Sequence, residues 1–532
     1  MTRLQRSTLT AWLAAHRWPV AIFLFALAIR LVGIGYGLPY VYTADNETSF
    51  VWPAAQMNKE GRLHPLFFGH PGSTVIYPFA LLIRLLFWWQ LATGRYPSYE
   101  EFDRAFWADP TDVFLLLRSY TAILGAVSVA LTYLVARGVF GDRAALAGAA
   151  LTAVAPLQHE YSRMARTDIP TTIFGLLTTW AGLRLYQTGA HRWYLAAGAA
   201  AGLAAASKFP GGSALAVLAV AHLLAWWTGR TRLVGLGPVL GGLGFLAGFF
   251  GSSPYLLLDY PTALKDIAAE LETSHLGADR LPGLWNYLWY FYGGFPTALS
   301  WPVWIVALPA ALGALRRDTA RRLVFAAFPA AYLLLVTSGT LRWAHWVIPA
   351  IPYVAVWAGW GLATAAAWLA CRRNWLPSAR YAFGAGLAVV AVWPTFQVVA
   401  ADYRSLLPDT RTLATNWYAE HLPKGAKVAF EHYAGKPPEG IQLDLRGLLG
   451  NKPLAAYRSE HYEYLVVSEY MYGRVYAEPQ KFAREVSIYD ELFRETELMQ
   501  EFDPRVLGGW LGKRGPTIRV LRVPPTTAER GA

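Results

Sequence analysis

From Val113 to Arg137 the chain is an almost unbroken apolar run, and ten further stretches repeat that pattern. A hydrocarbon layer about 30 Å thick is crossed by about 20 apolar residues in a helix, which satisfies its own backbone polar groups. The candidate spans are approximately Pro19–Leu38, Val113–Arg137, Ala144–Tyr161, Ile169–Tyr186, Trp193–Ser207, Ser213–Trp227, Leu233–Ser252, Pro296–Leu315, Leu323–Ser338, Trp346–Cys371 and Tyr381–Ala400. Several are short and rich in Gly and Ala, which suits close helix packing in lipid. Charged residues make up only 15% of the 532, against roughly 25% in an average soluble domain, so a soluble globular class is excluded.

Charge placement sets the expected orientation. The net charge is +12, and the basic residues lie in short loops between apolar runs, a positive-inside pattern that calls for no nucleic acid. One further apolar stretch, Ser73–Leu91, is interrupted by Arg84 and closed by Trp88 and Trp89. If it does not cross, the amino terminus (Arg3, Arg6, Arg17) shares one side with Arg137–Arg143, Arg184–Arg192, Arg230–Arg232, Arg316–Arg322 and Arg372–Arg380. That side is then the cytoplasm. Ser73–Leu91 is therefore expected to lie as an interfacial helix on the outer leaflet, leaving about eleven true spans. The first apolar run is long and holds Arg30, so it reads as an anchor and not a cleaved signal. With Cys371 the single cysteine, no intrachain disulfide can form.

From Asp402 the composition changes. Thr410–His421 has helical periodicity, with Leu413, Trp417 and His421 on one stripe, and Leu422-Pro423-Lys424-Gly425 ends it. Lys427–Glu431, Tyr464–Ser468 and Thr517–Val523 read as strands, and Pro479–Phe493 as a helix. The expected architecture is a mainly α membrane bundle over residues 1–400, followed by a small α/β domain over 401–532. An odd number of spans puts that domain outside the cell.

In this topology the polar residues collect on the outer face. Asp45, Glu47 and His70 fall in the first outer loop, and Arg163, Arg166 and Asp168 in the second. Lys208 opens the third, Asp259 to Arg280 fill the fourth, and Arg342 and His345 lie in the fifth. Charge is expensive in lipid and is kept for a task or a pairing. Each has a plainer alternative. Arg163, Arg166 and Lys208 could snorkel at helix ends, His345 could belong to the aromatic belt, and Glu47 could cap a helix. Asp45, an acid in an apolar aromatic setting, is the hardest to dismiss.

The first loop reads Thr43-Ala44-Asp45-Asn46-Glu47, then Gly61-Arg62-Leu63-His64-Pro65 and Phe67-Phe68-Gly69-His70-Pro71. It resembles the first loop of the GT-C superfamily of glycosyltransferases, specifically family 39 with the protein mannosyltransferases and bacterial aminoarabinose transferases. Arg163-Met164-Ala165-Arg166-Thr167-Asp168-Ile169-Pro170 resembles that family's second-loop signature, and Arg118, Gly202–Phe209 and Arg342–Pro352 also fit. The likeness covers roughly the first 400 residues, plus an outer carboxy-terminal domain found in some members. Here Asn46 splits the family's adjacent acidic pair.

What the resemblance implies is transfer of a sugar from a polyprenyl-phosphate donor to an acceptor hydroxyl of a protein, lipid or glycan, with inversion, at the outer face of the plasma membrane. A positioned carboxylate can take the hydroxyl proton, which is Asp45's expected role, with Glu47 and Asp168 as further catalytic candidates. Cations stabilise the charge gained by the departing phosphate, and Arg342, His345, Lys208, Arg163 and Arg166 are the candidates. His70 and Arg118 are expected to position the acceptor or the loop. No Walker-type phosphate loop is present, so the sugar–phosphate bond would supply the energy. No cofactor is demanded, and a divalent metal between Asp45, Glu47 and Asp168 stays open. The rival class is a lipid or sugar transporter, or flippase, which should carry polar residues and broken helices near the midplane, often in two matching halves; only Arg30 sits clearly inside a span, and no halves match. A non-catalytic scaffold would leave the outer acids without a role.

Overall fold

A computed structural model describes residues 3–42, 44–69, 71–271, 275–316, 318–372 and 379–524. The chain divides into two compact units. The first holds the helices up to residue 399; the second holds residues 400–532 together with the short segments 35–44 and 274–279.

Six helical stretches among the described residues are long and apolar enough to cross a membrane: Ser73–Ala92, Thr111–Phe140, Phe209–Trp227, Thr319–Thr337, Ala344–Cys371 and Ala379–His421, the last continuing into the second unit. Leu236–Ser252 and Trp301–Ala314 are apolar but shorter. Some expected spans are interrupted. Residues 144–161 break at Val154–Ala155 into Asp142–Ala153 and Pro156–Tyr161. Residues 296–315 break at Ser300, whose φ is 71°, into Phe295–Leu299 and Trp301–Ala314. The first helix, Arg3–Leu31, stops earlier than the expected Leu38.

Small residues decide how the bundle packs. A Cβ on Gly198 would lie 2.0 Å from the Gly241 carbonyl oxygen, and one on Gly202 2.3 Å from that of Phe245. From the other side, Gly244 and Gly248 meet the Leu195 and Ala199 carbonyls in the same way. Helices His191–Ser207 and Leu236–Ser252 therefore touch backbone to backbone, through glycines spaced four apart on each. Gly148 and Gly359 make the same approach between Asp142–Ala153 and Ile351–Arg372.

The stretch Ser73–Ala92 keeps polar company. Arg84, halfway along it, donates to the Asn58 side chain at 2.8 Å and to its carbonyl at 2.7 Å. Asn58 belongs to the polar helix Ala44–Glu60, which is tied to helix Tyr99–Ala108 through Lys59 and Asp103 at 3.0 Å. At its start, Ser73 and Thr74 hydrogen-bond Ser253 and Ser207, which stand at the ends of Leu236–Ser252 and His191–Ser207.

The second unit is built on a five-stranded sheet in the order β2-β1-β3-β5-β4. The strands are β1 Lys427–Glu431, β2 Gln442–Arg446, β3 Tyr464–Ser468, β4 Glu497–Phe502 and β5 Ile518–Arg522. The first three run parallel, and β5 and β4 are added antiparallel. Helix Thr410–His421 starts at Asp409, whose carboxylate accepts from the Arg411 N–H. The helix expected from Pro479 begins at Ala483, because residues 478–482 form a turn closed onto the Glu478 carbonyl.

Candidate active site

The segment between Pro156–Tyr161 and Asp168–Thr188 carries Arg163, Arg166 and Asp168, and buried polar bonds fix its path. Arg118, eight residues into helix Thr111–Phe140, donates to Glu47 at 2.9 and 2.6 Å, and both side chains are fully buried. The same Glu47 carboxylate accepts the Ala165 N–H at 2.9 Å. Arg163 is buried and turns its guanidinium onto the Val32 carbonyl and, at 3.4 Å, onto His159. Arg30 reaches the Ser162 hydroxyl at 2.7 Å. Two cations from neighbouring helices, Arg30 directly and Arg118 through Glu47, and the loop's own Arg163 thus hold its path.

What that loop presents is Asp168. Its carboxylate is fully buried, accepts from Lys208 Nζ at 2.9 Å and lies 3.4 Å from Arg166 Nε. Lys208 and Arg166 are themselves 19% and 12% exposed, so they bridge the buried acid and the surface. Arg166 lies over the Tyr161 ring at 5.0 Å, and His345 stacks on the same ring at 5.1 Å and 17°. Lys208 lies 6.0 Å from the Trp346 ring centroid, and Arg342 5.5 Å from that of Trp289. Aromatic faces orient these cations without neutralising them. Two cations on one carboxylate leave an excess of positive charge, which favours an anion.

Of the sequence candidates, the structure brings Asp168, Lys208, Arg166 and His345 together through Tyr161 and the carboxylate. It pairs Glu47 with Arg118 and turns Arg163 to the backbone. The side chain of Asp45 and the whole of His70 lie outside the described residues. Among the described residues, no three His, Cys, Asp or Glu side chains are grouped so as to hold a metal. Sequence reasoning missed Tyr161, Trp289 and Trp346; their signal was the aromatic density around each cation, which reads equally as an interfacial belt.

Residues 112–255 match the family model described as dolichyl-phosphate-mannose-protein mannosyltransferase. That match supports the expected likeness to GT-C glycosyltransferases of family 39. It is similar in fold to ArnT from Cupriavidus metallidurans bound to undecaprenyl phosphate, at 13% identity and a TM-score of 0.52, covering 95% of this chain and 98% of that one. The apo state of that ArnT aligns over the same shares at 14% identity and a TM-score of 0.52. A weaker likeness, with a TM-score of 0.48 and 12% identity, is to the Archaeoglobus fulgidus oligosaccharyltransferase, covering 95% and 74% of the two chains. No curated protein matches the sequence. The family model supports the reading of a membrane glycosyltransferase.

Proposed function

We propose that this chain transfers a sugar from a polyprenyl-phosphate carrier to an acceptor hydroxyl, with inversion, at the outer face of the plasma membrane. The observation that carries the reading is the buried Asp168 carboxylate flanked by the partly exposed Lys208 and Arg166, two cations on one acid. A phosphate leaving group gains charge as the glycosidic bond breaks, and preoriented cations stabilise it there more than in the ground state. Lys208, Arg166, Arg342 and His345 would hold that phosphate. Asp168 keeps two of these cations in place, and the Glu47–Arg118 pair with Arg163 keeps the loop in place. Asp45, at the first turn of helix Ala44–Glu60, would take the acceptor proton. ArnT, whose fold is similar, has been captured with undecaprenyl phosphate, which makes a polyprenyl carrier the first donor to test. The polar surroundings of Ser73–Ala92 favour an interfacial position for that helix, and with it an outward-facing site.

The test is mass spectrometry of products after mixing the purified chain with a panel of polyprenyl-phosphate sugars. One donor should yield transferred sugar and free carrier phosphate. Asp45→Asn should lower turnover by roughly two to four orders of magnitude at saturating donor, with donor binding retained. Near-normal turnover in that variant would remove the base from Asp45.

A further inference from the structure

The carboxy-terminal unit carries a closed loop that none of the chemistry above uses. Residues 504–513 form a short helix, Pro504–Leu507, and a 3-10 turn, Gly509–Leu511. The Pro504 carbonyl accepts from both Gly508 N–H at 3.2 Å and Lys513 N–H at 2.9 Å, which ties the ends of the loop together. The Asp503 carboxylate accepts from the Arg505 N–H at 2.7 Å and pairs with its guanidinium. Gly509 and Gly512 hold positive φ values of 58° and 70°, and a Cβ on Gly508 would come within 2.0 Å of the Gly512 backbone. Such a loop keeps its shape. Yet it displays Val506 at 77% exposure and Trp510 at 87%, with Leu507 also exposed. A rigid display of large apolar groups to water is costly and marks a contact surface.

Its position names the occupant. Arg514, four residues after Trp510, donates to the Ser405 hydroxyl at 2.8 Å and lies over the Tyr36 ring at 4.2 Å. Its carbonyl accepts from the Thr410 N–H at 2.9 Å. Ser405 is the last residue of helix Ala379–Ser405, part of a stretch apolar enough to cross a membrane. Beside it, Tyr403 and Leu406 are large apolar groups exposed at the end of that helix. Four residues of chain span at most about 14 Å, so the loop stands near the level at which the helix leaves the bilayer. Arg505, Lys513 and Arg514 flank it in the sequence, Arg404 precedes the Ser405 that Arg514 contacts, and such cations suit anionic headgroups. Tryptophan between apolar and polar layers is the favoured interfacial side chain.

We propose that Val506, Leu507 and Trp510 insert into the headgroup layer of the bilayer that holds the chain, as a second membrane attachment for the carboxy-terminal unit. A single cysteine at position 506, by Val506→Cys in a Cys371→Ser background, would carry an environment-sensitive fluorophore in the full-length protein. The protein is placed at one chain per nanodisc of phosphatidylcholine and phosphatidylglycerol. Headgroup-linked nitroxide lipid should quench most of the emission while aqueous iodide quenches little. A label at the exposed Glu439 position should show the reverse. Adding Trp510→Ser should restore iodide access at position 506. Iodide quenching equal to that at position 439 overturns the proposal. Protection seen only in discs loaded with two chains also overturns it, by assigning the surface to a second copy.

Discussion

The membrane bundle and the carboxy-terminal domain each bury carboxylates, and they satisfy them by opposite means. In the bundle, Glu47 receives a two-pronged Arg118 and Asp168 receives Lys208 and Arg166. In the domain, Glu431 at the end of β1 receives only neutral donors: the Tyr489 hydroxyl, the Leu449 N–H at 2.9 Å and the Ser468 N–H at 2.8 Å. Burial pushes the Glu431 carboxyl up to about 7, and the three donors limit the rise. A cation fixes an acid in its charged form and commits the site to electrostatics; neutral donors leave the acid able to titrate. The bundle has spent charge to hold a loop and a set of cations. The domain uses its acid to join β1 to β3 and to the segment before helix Leu454–Ser459.

The largest test of this contrast is Arg118→Met, which preserves bulk and removes the charge. It strands Glu47 in the interior, and breaking a buried pair from one side costs about 3–5 kcal/mol. The thermal midpoint of the detergent-solubilised protein should fall steeply. Adding Glu47→Gln should return much of the loss, because the uncompensated charge is then gone. A double variant no better than Arg118→Met would show that packing, not charge, holds the Ala165 loop.

Glu431 gives the next effect, and this one depends on pH. Its carboxyl is raised in the folded state from an ordinary 4.5 to about 7. Folding therefore favours the protonated form. The stabilisation is full below pH 4.5 and is lost as pH rises through 7, a change of about 3 kcal/mol over that window. Glu431→Gln should flatten this slope. It should also lower stability at acid pH, since an amide cannot accept at both ends and leaves one buried N–H facing another donor. Hydrogen exchange of β1 and β3 amides in the whole protein, corrected for intrinsic rates, reads both effects. An unchanged slope in the variant would assign the titration elsewhere.

The two regions also differ in how far sequence alone exposes them. Thr410–His421, Lys427–Glu431 and Tyr464–Ser468 are read from the sequence with the boundaries that the structure shows, because a capping acid and short apolar runs bound each locally. Strand β2, Gln-Leu-Asp-Leu-Arg, and strand β4, Glu-Leu-Met-Gln-Glu-Phe, go unread, since both are edge strands with exposed faces and β4 carries a bulge. In the bundle, apolar length announces helices but not their interruptions at Val154–Ala155 and Ser300. The candidate acids and cations could be gathered on one face by counting loops. Their pairing could not: Glu47 and Arg118 are 71 residues apart, and Asp168 and Lys208 are 40. Nothing in either local sequence distinguishes an acid held by a cation from one left to accept a proton.

The smallest effect separates the two acids within the bundle. Glu47 is held by the two-pronged, fully buried Arg118, whereas Asp168 has two partly exposed cations at hand. Lys208→Met keeps an unbranched chain near the Trp346 ring and removes the ammonium. Arg166 still faces the carboxylate, so the stability cost should be that of one charged hydrogen bond, about 1.5–3 kcal/mol, and smaller than for Arg118→Met. Donor affinity should fall more visibly than stability, because the lost charge is one that reaches the surface. Lys208→Arg should keep the charge and recover part of the binding, with a planar fork in place of a compact ammonium. Thermal midpoint and binding of a polyprenyl phosphate to the same samples read the two quantities side by side. A Lys208→Met protein destabilised as much as Arg118→Met, with donor affinity unchanged, would make Lys208 a structural counter-ion like Arg118. The outward cation of the site would then have to be Arg166 or Arg342.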